Sequence, residues 1–205
     1  YSQIFFSEYA EGSSNNKYLE IYNNTDQVID LGGYAFPSTA NAPDVVGEHE
    51  YWNEFDDGAS INPGDVYVIC HGSSDAFIQD DCNQFHTYLS NGNDGYCLVE
   101  GIESNFSVLD CIGDWNADPG EGWDVAGVTA GTKDHTLVRK SYVLSGNLGN
   151  WSMSAGTSPE DSEWLVFDID TWDNLGYHEI DTSGNIYGCM DESACNYNSE
   201  ATVDN

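Results

Sequence analysis

Short runs of alternating apolar and polar residues recur along the chain, and turn-forming residues separate one run from the next. The predicted strands cover residues 3–9, 18–22, 28–36, 65–71, 96–100, 107–112, 136–140 and 164–169. No long stretch shows the 3.6-residue period of an amphipathic helix, and a short helix is expected only around residues 74–80. Many short strands joined by turns are typical of an all-β protein built as a β-sandwich.

The spacing of turn-forming residues also predicts how the chain is organised. Asn62-Pro63-Gly64 fixes one backbone φ and frees another, which predicts a tight turn into the strand at 65–71. Residues 37–60 are polar and are expected to form a long excursion loop. The alternation stops near residue 180. We therefore expect a sandwich over residues 1–180, followed by a linker and a small disulfide-closed acidic tail over residues 181–205, which is too short to bury a core of its own.

The charge balance excludes several classes of partner. The 205 residues include 36 acidic and 4 basic side chains, for a formal net charge of −32, while 40% of the residues are hydrophobic. Such a chain repels phosphate backbones and anionic lipid headgroups, so nucleic acid is not an expected partner. Membrane insertion is not expected either, because the apolar runs are far shorter than the roughly 20 residues that span a bilayer.

The cysteines favour an oxidising compartment. There are six of them, an even number, and none forms a CxxC pair of the kind that binds zinc. Their positions predict disulfides between Cys70 and Cys82, between Cys97 and Cys111, and between Cys189 and Cys195. The chain also begins at Tyr1 rather than at Met, as a processed secretory protein would. We expect a secreted, extracellular or cell-surface protein.

Several motifs resemble the secreted bacterial form of the lamin tail domain, in the expected order from residue 3 to residue 178. They are FFSEY at 5–9, EGSSNNKYLEIYN at 11–23, DLGGY at 30–34, GDVYVI at 64–69, NGNDG at 91–95, LDCIG at 109–113 and DHTLVRK at 134–140. The resemblance implies an immunoglobulin-like β-sandwich. The family is not itself catalytic, although it often accompanies secreted nucleases. Residues 188–204 resemble one unit of a cysteine-bracketed acidic repeat found in secreted proteins of marine bacteria.

The residues themselves also argue against an enzyme. The five histidines are scattered, and none lies in a metal-binding motif such as HExxH. The most suggestive local cluster, Asp134-His135-Thr136, is explained by a turn that leads into the strand at 136–140. We therefore do not expect catalysis.

Calcium is the cofactor that the acidic residues favour, since Ca²⁺ takes six to eight oxygen ligands from loops. The strongest candidate set lies in the tail: Asp191, Glu192, Asn196, Asn198, Glu200 and Asp204. Weaker candidates are Asp168, Asp170 and Asp173, and then the loop at 91–95, whose sequence is also that of a hairpin turn. A solvated acidic surface is the competing interpretation of all three sets.

Trp52, Trp115 and Trp123 lie in polar loops and are candidates for stacking on sugar rings, although large aromatic side chains also anchor loops. The preferred interpretation is a non-enzymatic, secreted structural module that associates with itself, with a filament as one form of the assembly. The assembly segment is the apolar N-terminus, which includes Tyr1, Ile4, Phe5 and Phe6; the competing expectation is that both termini fold back on their own sandwich. The alternatives are a calcium-supported adhesion module that binds a surface polysaccharide, and an accessory domain of a secreted nuclease.

Overall fold

The computed structural model describes residues 4–181, 183, 185, 187–190, 199 and 201–203. Its strands are β1 Ile4–Glu11, β2 Lys17–Asn23, β3 Ile29–Asp30, β4 Tyr34–Ala35, β5 Ser38–Thr39, β6 Ser60–Ile61, β7 Val66–Cys70, β8 Gln84–Phe85, β9 Gly95–Ile102, β10 Asn105–Ile112, β11 His135–Arg139 and β12 Trp164–Asp168. Two short helices are α1 Ala76–Asp81 and α2 Trp151–Ala155. Seven of the eight predicted strands are present as single strands, and the helix expected around 74–80 is α1.

Two sheets pack against one another and confirm the predicted immunoglobulin-like β-sandwich. The larger sheet has the strand order β12-β11-β1-β2-β7-β8, in which only the β7–β8 pair is parallel. The smaller sheet has the order β10-β9-β4, and β5 also pairs with β9. Phe6 and Ile21 of the larger sheet share one buried cluster with Leu98 and Ile112 of the smaller sheet. This cluster is the core of the sandwich.

Two segments differ from the sequence-based expectation. Residues 28–36 were expected to form one strand, but a 3₁₀ turn at Leu31–Gly33 divides them into β3 and β4. The turn forms because the Asp30 carboxylate accepts the Gly32 N–H at 2.9 Å. Helix α2 was not predicted; it is only five residues long, and the Asn150 side chain caps its start. Neither the turn nor the helix is long enough to show a period in the sequence.

The N-terminal strand does not supply an exposed assembly surface, contrary to the expectation for Ile4, Phe5 and Phe6. All three side chains are buried, and β1 is a central strand that pairs with β2 on one side and β11 on the other. Its apolar side chains are buried within their own sandwich, on both faces of the sheet. Tyr1, the fourth predicted assembly residue, lies outside the described residues.

Two of the three predicted disulfides are present. Cys70–Cys82 joins the end of β7 to the end of α1, with 5.8 Å between the Cα atoms. Cys97–Cys111 joins β9 to β10 at positions that are register partners. Cys189 has no disulfide partner among the described residues, and the third predicted bond stays a prediction. Its expected partner, Cys195, lies outside the described residues.

A buried ion pair connects the two sheets. The guanidinium of Arg139 on β11 contacts the carboxylate of Asp110 on β10, and both side chains are fully buried. A bulge in β1 after Phe6 lets that residue's N–H donate to Asp110 at 2.9 Å and its carbonyl accept from Arg139 at 3.2 Å. Arg139 also donates to the Ser154 hydroxyl at 2.6 Å and to Glu163 at 2.8 Å. One charged pair therefore holds a central strand and both sheets together.

We predict that Asp110→Asn lowers the free energy of unfolding by about 3–5 kcal/mol, because it leaves the Arg139 charge buried without its main partner. Denaturant titration followed by fluorescence measures this loss. The matched control is Glu121→Gln, which removes the partner of Lys133 at an exposed surface pair and should change stability too little to detect. Equal effects of the two substitutions would contradict a central role for the buried pair.

Candidate functional site

A cleft opens beside the β7–β8 end of the larger sheet. Its volume is about 620 Å³, and it lies between the start of β2, the segment that follows β8, and the excursion over residues 37–60. Separate stretches of the chain supply its walls, through residues such as Lys17, Asn53 and Tyr88. The volume is within the range of about 300–1,000 Å³ that is usual for small-molecule sites.

A network of hydrogen bonds holds the floor of this cleft. The Lys17 ammonium donates to the Ser90 carbonyl at 2.8 Å and to the Asn91 side-chain oxygen at 2.7 Å, and it forms an ion pair with Glu11 at 3.0 Å. On another wall, the Asp94 carboxylate accepts the Asn41 N–H at 3.0 Å. Burial raises the pKa of Asp94, so its charge is disfavoured. In this cleft, the charge of Lys17 is thus already paired, and the negative charge of Asp94 is disfavoured by burial.

Aromatic rings stand at the rim of the same cleft. Tyr88 is 82% exposed and Tyr51 is 55% exposed, which is unusual for side chains of this size. His86 lies between the rim and the core, with its ring edge-on to those of Phe36 and Tyr88. Burial lowers the pKa of His86, and the neighbouring His71 lowers it further. Both effects favour a neutral imidazole.

A second group of polar side chains is buried on the outer face of the larger sheet. Glu8 on β1 and Glu20 on β2 are register partners. Glu20 accepts the Ser7 hydroxyl and the Gly176 N–H, each at 2.7 Å, while Glu8 accepts the Tyr18 hydroxyl. Helix α1 and the segment at 170–178 cover this face. Burial raises the pKa of Glu8 to about 8, and Glu20 contributes to that shift; burial likewise raises the pKa of Glu20 to about 8.

The weaker set of predicted calcium ligands does not form a site. The Asp170 carboxylate accepts the Ser13 N–H at 2.9 Å and the Ser13 hydroxyl at 2.6 Å, so it holds the turn between β1 and β2. Asp168 lies at the end of β12, opposite His135. Among the described residues, which include Asp168, Asp170 and Asp173, no group of three or more His, Cys, Asp or Glu side chains is close enough to bind a metal ion.

The remaining predicted sites are the calcium candidates of the tail and the three loop tryptophans. All six tail candidates lie outside the described residues: Asp191, Glu192, Asn196, Asn198, Glu200 and Asp204. Trp115 is buried, and Trp52 packs on it through His49 and Phe106. Trp123 is partly buried and donates its indole N–H to the Asp94 carbonyl at 3.1 Å. These tryptophans anchor loops, as the competing interpretation held.

Residues 1–109 match the family model of the Lamin Tail Domain, and this stretch is more than half of the 205-residue chain. The chain belongs to the lamin tail domain family. This family has an immunoglobulin-like fold and is a structural family whose domains are general protein–protein interaction modules. A comparison with curated proteins finds no match to this lamin tail domain.

The matched part of this lamin tail domain ends within β10, whereas its larger sheet continues beyond that point. Strand β11 pairs directly with β1 through Glu8–Val138, Tyr9–Leu137 and Ala10–Thr136. Strand β12 then pairs with β11 along its whole length. The larger sheet therefore extends at least to the end of β12. None of its described helices is long and apolar enough to cross a lipid bilayer.

The described part of the tail contacts the lamin tail domain through the Asp181 backbone, whose N–H donates to the Ser141 carbonyl at 2.8 Å, and through the ring of Tyr187. The Tyr187 ring stacks on Tyr142 with 4.7 Å between the ring centroids, and its hydroxyl donates to the Asp181 carboxylate. Gly188 donates its N–H to the Val203 carbonyl at 3.1 Å. The described residues of the tail thus contact the sandwich of their own chain.

We predict that the stability of the protein falls as the pH rises from about 5 to about 8. In this range the unfolded chain has lost the protons of Glu8 and Glu20, whose ordinary pKa is 4.5, while the folded protein retains them. Each group contributes a slope of at most about 1.4 kcal/mol per pH unit. Denaturant titrations at pH 5.5, 6.5 and 7.5 measure the slope.

The double variant Glu8→Gln and Glu20→Gln should flatten this pH dependence, because its amides carry no titratable proton. Glu48→Gln is the matched control, since it removes a carboxylate from an exposed position and should leave the slope unchanged. A double variant with the wild-type slope would show that the two buried carboxyls are not its source.

Proposed function

We propose that this lamin tail domain is a non-catalytic, extracellular structural module that associates with copies of itself through the edge strand β12. The membership in a family of interaction modules supports a binding role. The two disulfides support an oxidising, extracellular environment. The choice of β12 rests on how far each edge strand of the two main sheets is left unpaired and uncovered.

Strand β12 is the least protected edge of the two main sheets. It ends the larger sheet, and among the described residues no strand pairs with its outer side. Leu165 is 45% exposed, Val166 and Phe167 are half-buried, and Ile169 just beyond the strand is exposed. An apolar edge with free backbone N–H and C=O groups is a template on which another strand can pair.

The edge strands β8 and β10 are better protected than β12. Strand β8, at the opposite end of the larger sheet, has only two residues. Strand β10 is covered over its second half by Asn147, whose side-chain oxygen accepts the Cys111 N–H at 3.0 Å and whose amide donates to the Cys111 carbonyl at 2.8 Å. The contrast supports β12 as the surface through which copies associate.

The charge of the protein determines the conditions under which copies can meet. All four basic residues make internal contacts: Lys17 with Glu11, Lys133 with Glu121, Arg139 with Asp110, and Lys140 with the Pro159 carbonyl. The surface is left strongly acidic, and two copies repel each other at low ionic strength. Salt screens this repulsion over about 10 Å at 0.1 M, so the proposed association should strengthen as salt is added.

We predict that sedimentation velocity shows larger species as NaCl is raised from 50 to 500 mM, and that Leu165→Lys abolishes them by placing a charge on the edge strand. Val46→Lys is the matched control, because it adds the same charge at a 71% exposed position in the excursion loop and should still associate. Wild-type protein that stays monomeric at every salt and protein concentration would contradict the proposal.

The calcium site in the tail stays a prediction from the sequence. We expect millimolar CaCl₂ to raise the melting temperature more than NaCl does at the same ionic strength, because a bound ion stabilises the folded state beyond simple screening. Asp191→Asn with Asp204→Asn should remove the difference, while Asp44→Asn with Asp57→Asn, which lowers the charge equally in exposed loops, should preserve it. Equal effects of the two salts on the wild type would count against a site.

A further inference from the structure

We propose that the cleft beside β7 and β8 is a binding site for a neutral carbohydrate. The site is separate from the edge proposed for self-association, because β12 and β8 are at opposite ends of the larger sheet. The proposal rests on three features of the cleft: the weak charge of its lining, the exposed aromatic rings at its rim, and polar side chains without partners in the rest of the described protein.

The lining is unsuited to a charged ligand. Lys17 is the one Lys or Arg among the described lining residues, and Glu11 already neutralises its ammonium at 3.0 Å. An anionic ligand would also approach against the net charge of −32. Asp94 is the one described lining carboxylate, and it is partly desolvated and accepts the Asn41 N–H. A cation would therefore find no free carboxylate pair in the cleft.

The rim is suited to flat, weakly polar surfaces such as the faces of sugar rings. Tyr51 and Tyr88 belong to different segments but line the same cleft, and both rings are more than half exposed. Exposed large aromatic side chains commonly mark binding surfaces, because they bury much area for few rotatable bonds.

Several polar groups of the cleft are available to hydroxyl groups of a ligand. Among the described residues, no hydrogen bond engages the side-chain amide of Asn15, the NH₂ group of Asn91 or the hydroxyl of Thr87. The Asn53 amide donates to Phe36 and Ser38, which leaves its side-chain oxygen as an acceptor. Amides that both donate and accept match the mixed donor and acceptor character of sugar hydroxyls.

The cleft is held in shape before any ligand arrives. The Lys17 ammonium donates to the Ser90 carbonyl and to the Asn91 side-chain oxygen, and the Tyr96 hydroxyl donates to the Tyr88 carbonyl. The backbone N–H of His86 donates to the Cys70 carbonyl at 2.9 Å, close to the Cys70–Cys82 disulfide. A site that needs little ordering on binding loses less of its interaction energy to conformational entropy.

Isothermal titration calorimetry of the full chain tests the proposal, with soluble tetrasaccharides of glucose, mannose, galactose and N-acetylglucosamine as neutral probes. A uronic acid tetrasaccharide is the anionic probe, and a lysine tetrapeptide is the cationic peptide probe. We expect at least one neutral tetrasaccharide to bind, and neither charged probe to bind. Tyr88→Ala should weaken binding at least about tenfold, which corresponds to about 1.4 kcal/mol.

Two further variants assign the binding to this cleft. Tyr88→Phe keeps the ring and should bind as the wild type does, whereas Tyr177→Ala removes a 49% exposed tyrosine elsewhere on the surface and should have no effect. The Tyr88 side chain is largely exposed, so these variants should fold, and far-ultraviolet circular dichroism verifies that they do. Binding of none of the neutral probes, binding of a charged probe in preference, or neutral binding that Tyr88→Ala leaves intact would each overturn the proposal.

Discussion

The buried contact between Arg139 and Asp110 is the interaction on which the rest of the sandwich depends. Arg139 is the only arginine in the chain, and a guanidinium offers five donors in a fixed plane. Here they reach a carboxylate of the opposite sheet, the bulge in β1 and the segment before β12, while the ring of Trp164 lies 4.2 Å from the guanidinium carbon. Removal of two charges from water is costly, and such a pair persists when its remaining donors and acceptors are satisfied.

The pairing of the basic residues within the chain leaves the surface strongly acidic. Acidic side chains outnumber basic ones by 36 to 4, and the basic ones make internal contacts. The exposed carboxylates therefore have few cations to offset them, and the surface repels other anions as well as its own copies. This repulsion protects an apolar edge such as β12 from indiscriminate pairing at low salt.

Alternation in the sequence was sufficient to predict the strands but not their neighbours. Residues 65–71 were predicted as a strand and Val66–Cys70 is one, because the signal is local. The segment with Ile4, Phe5 and Phe6 has apolar residues on both faces, and that pattern is shared by a central strand and by a strand that waits for a partner. Only the pairing with β11, which lies more than a hundred residues later, distinguishes the two cases.

The cleft was beyond prediction for a related reason. Lys17, Tyr51 and Tyr88 come from separate segments, and no spacing in the sequence connects them. The disulfides were easier, because Cys70 and Cys82 flank a short loop and Cys97 and Cys111 flank a hairpin. Local closure can be inferred from sequence separation, whereas a site assembled by tertiary packing requires the fold itself.

The pairing of β1 with β11 has a consequence for how this domain can be moved between proteins. The family match ends at residue 109, but a fragment cut there would lose β11, β12 and Arg139 together. Its first strand would become an open edge, and the Asp110 position would be absent from the core. The stretch needed to complete the sheet in this chain is therefore longer than the stretch that matches the family. A gene fusion or an expression boundary has to include β11 and β12.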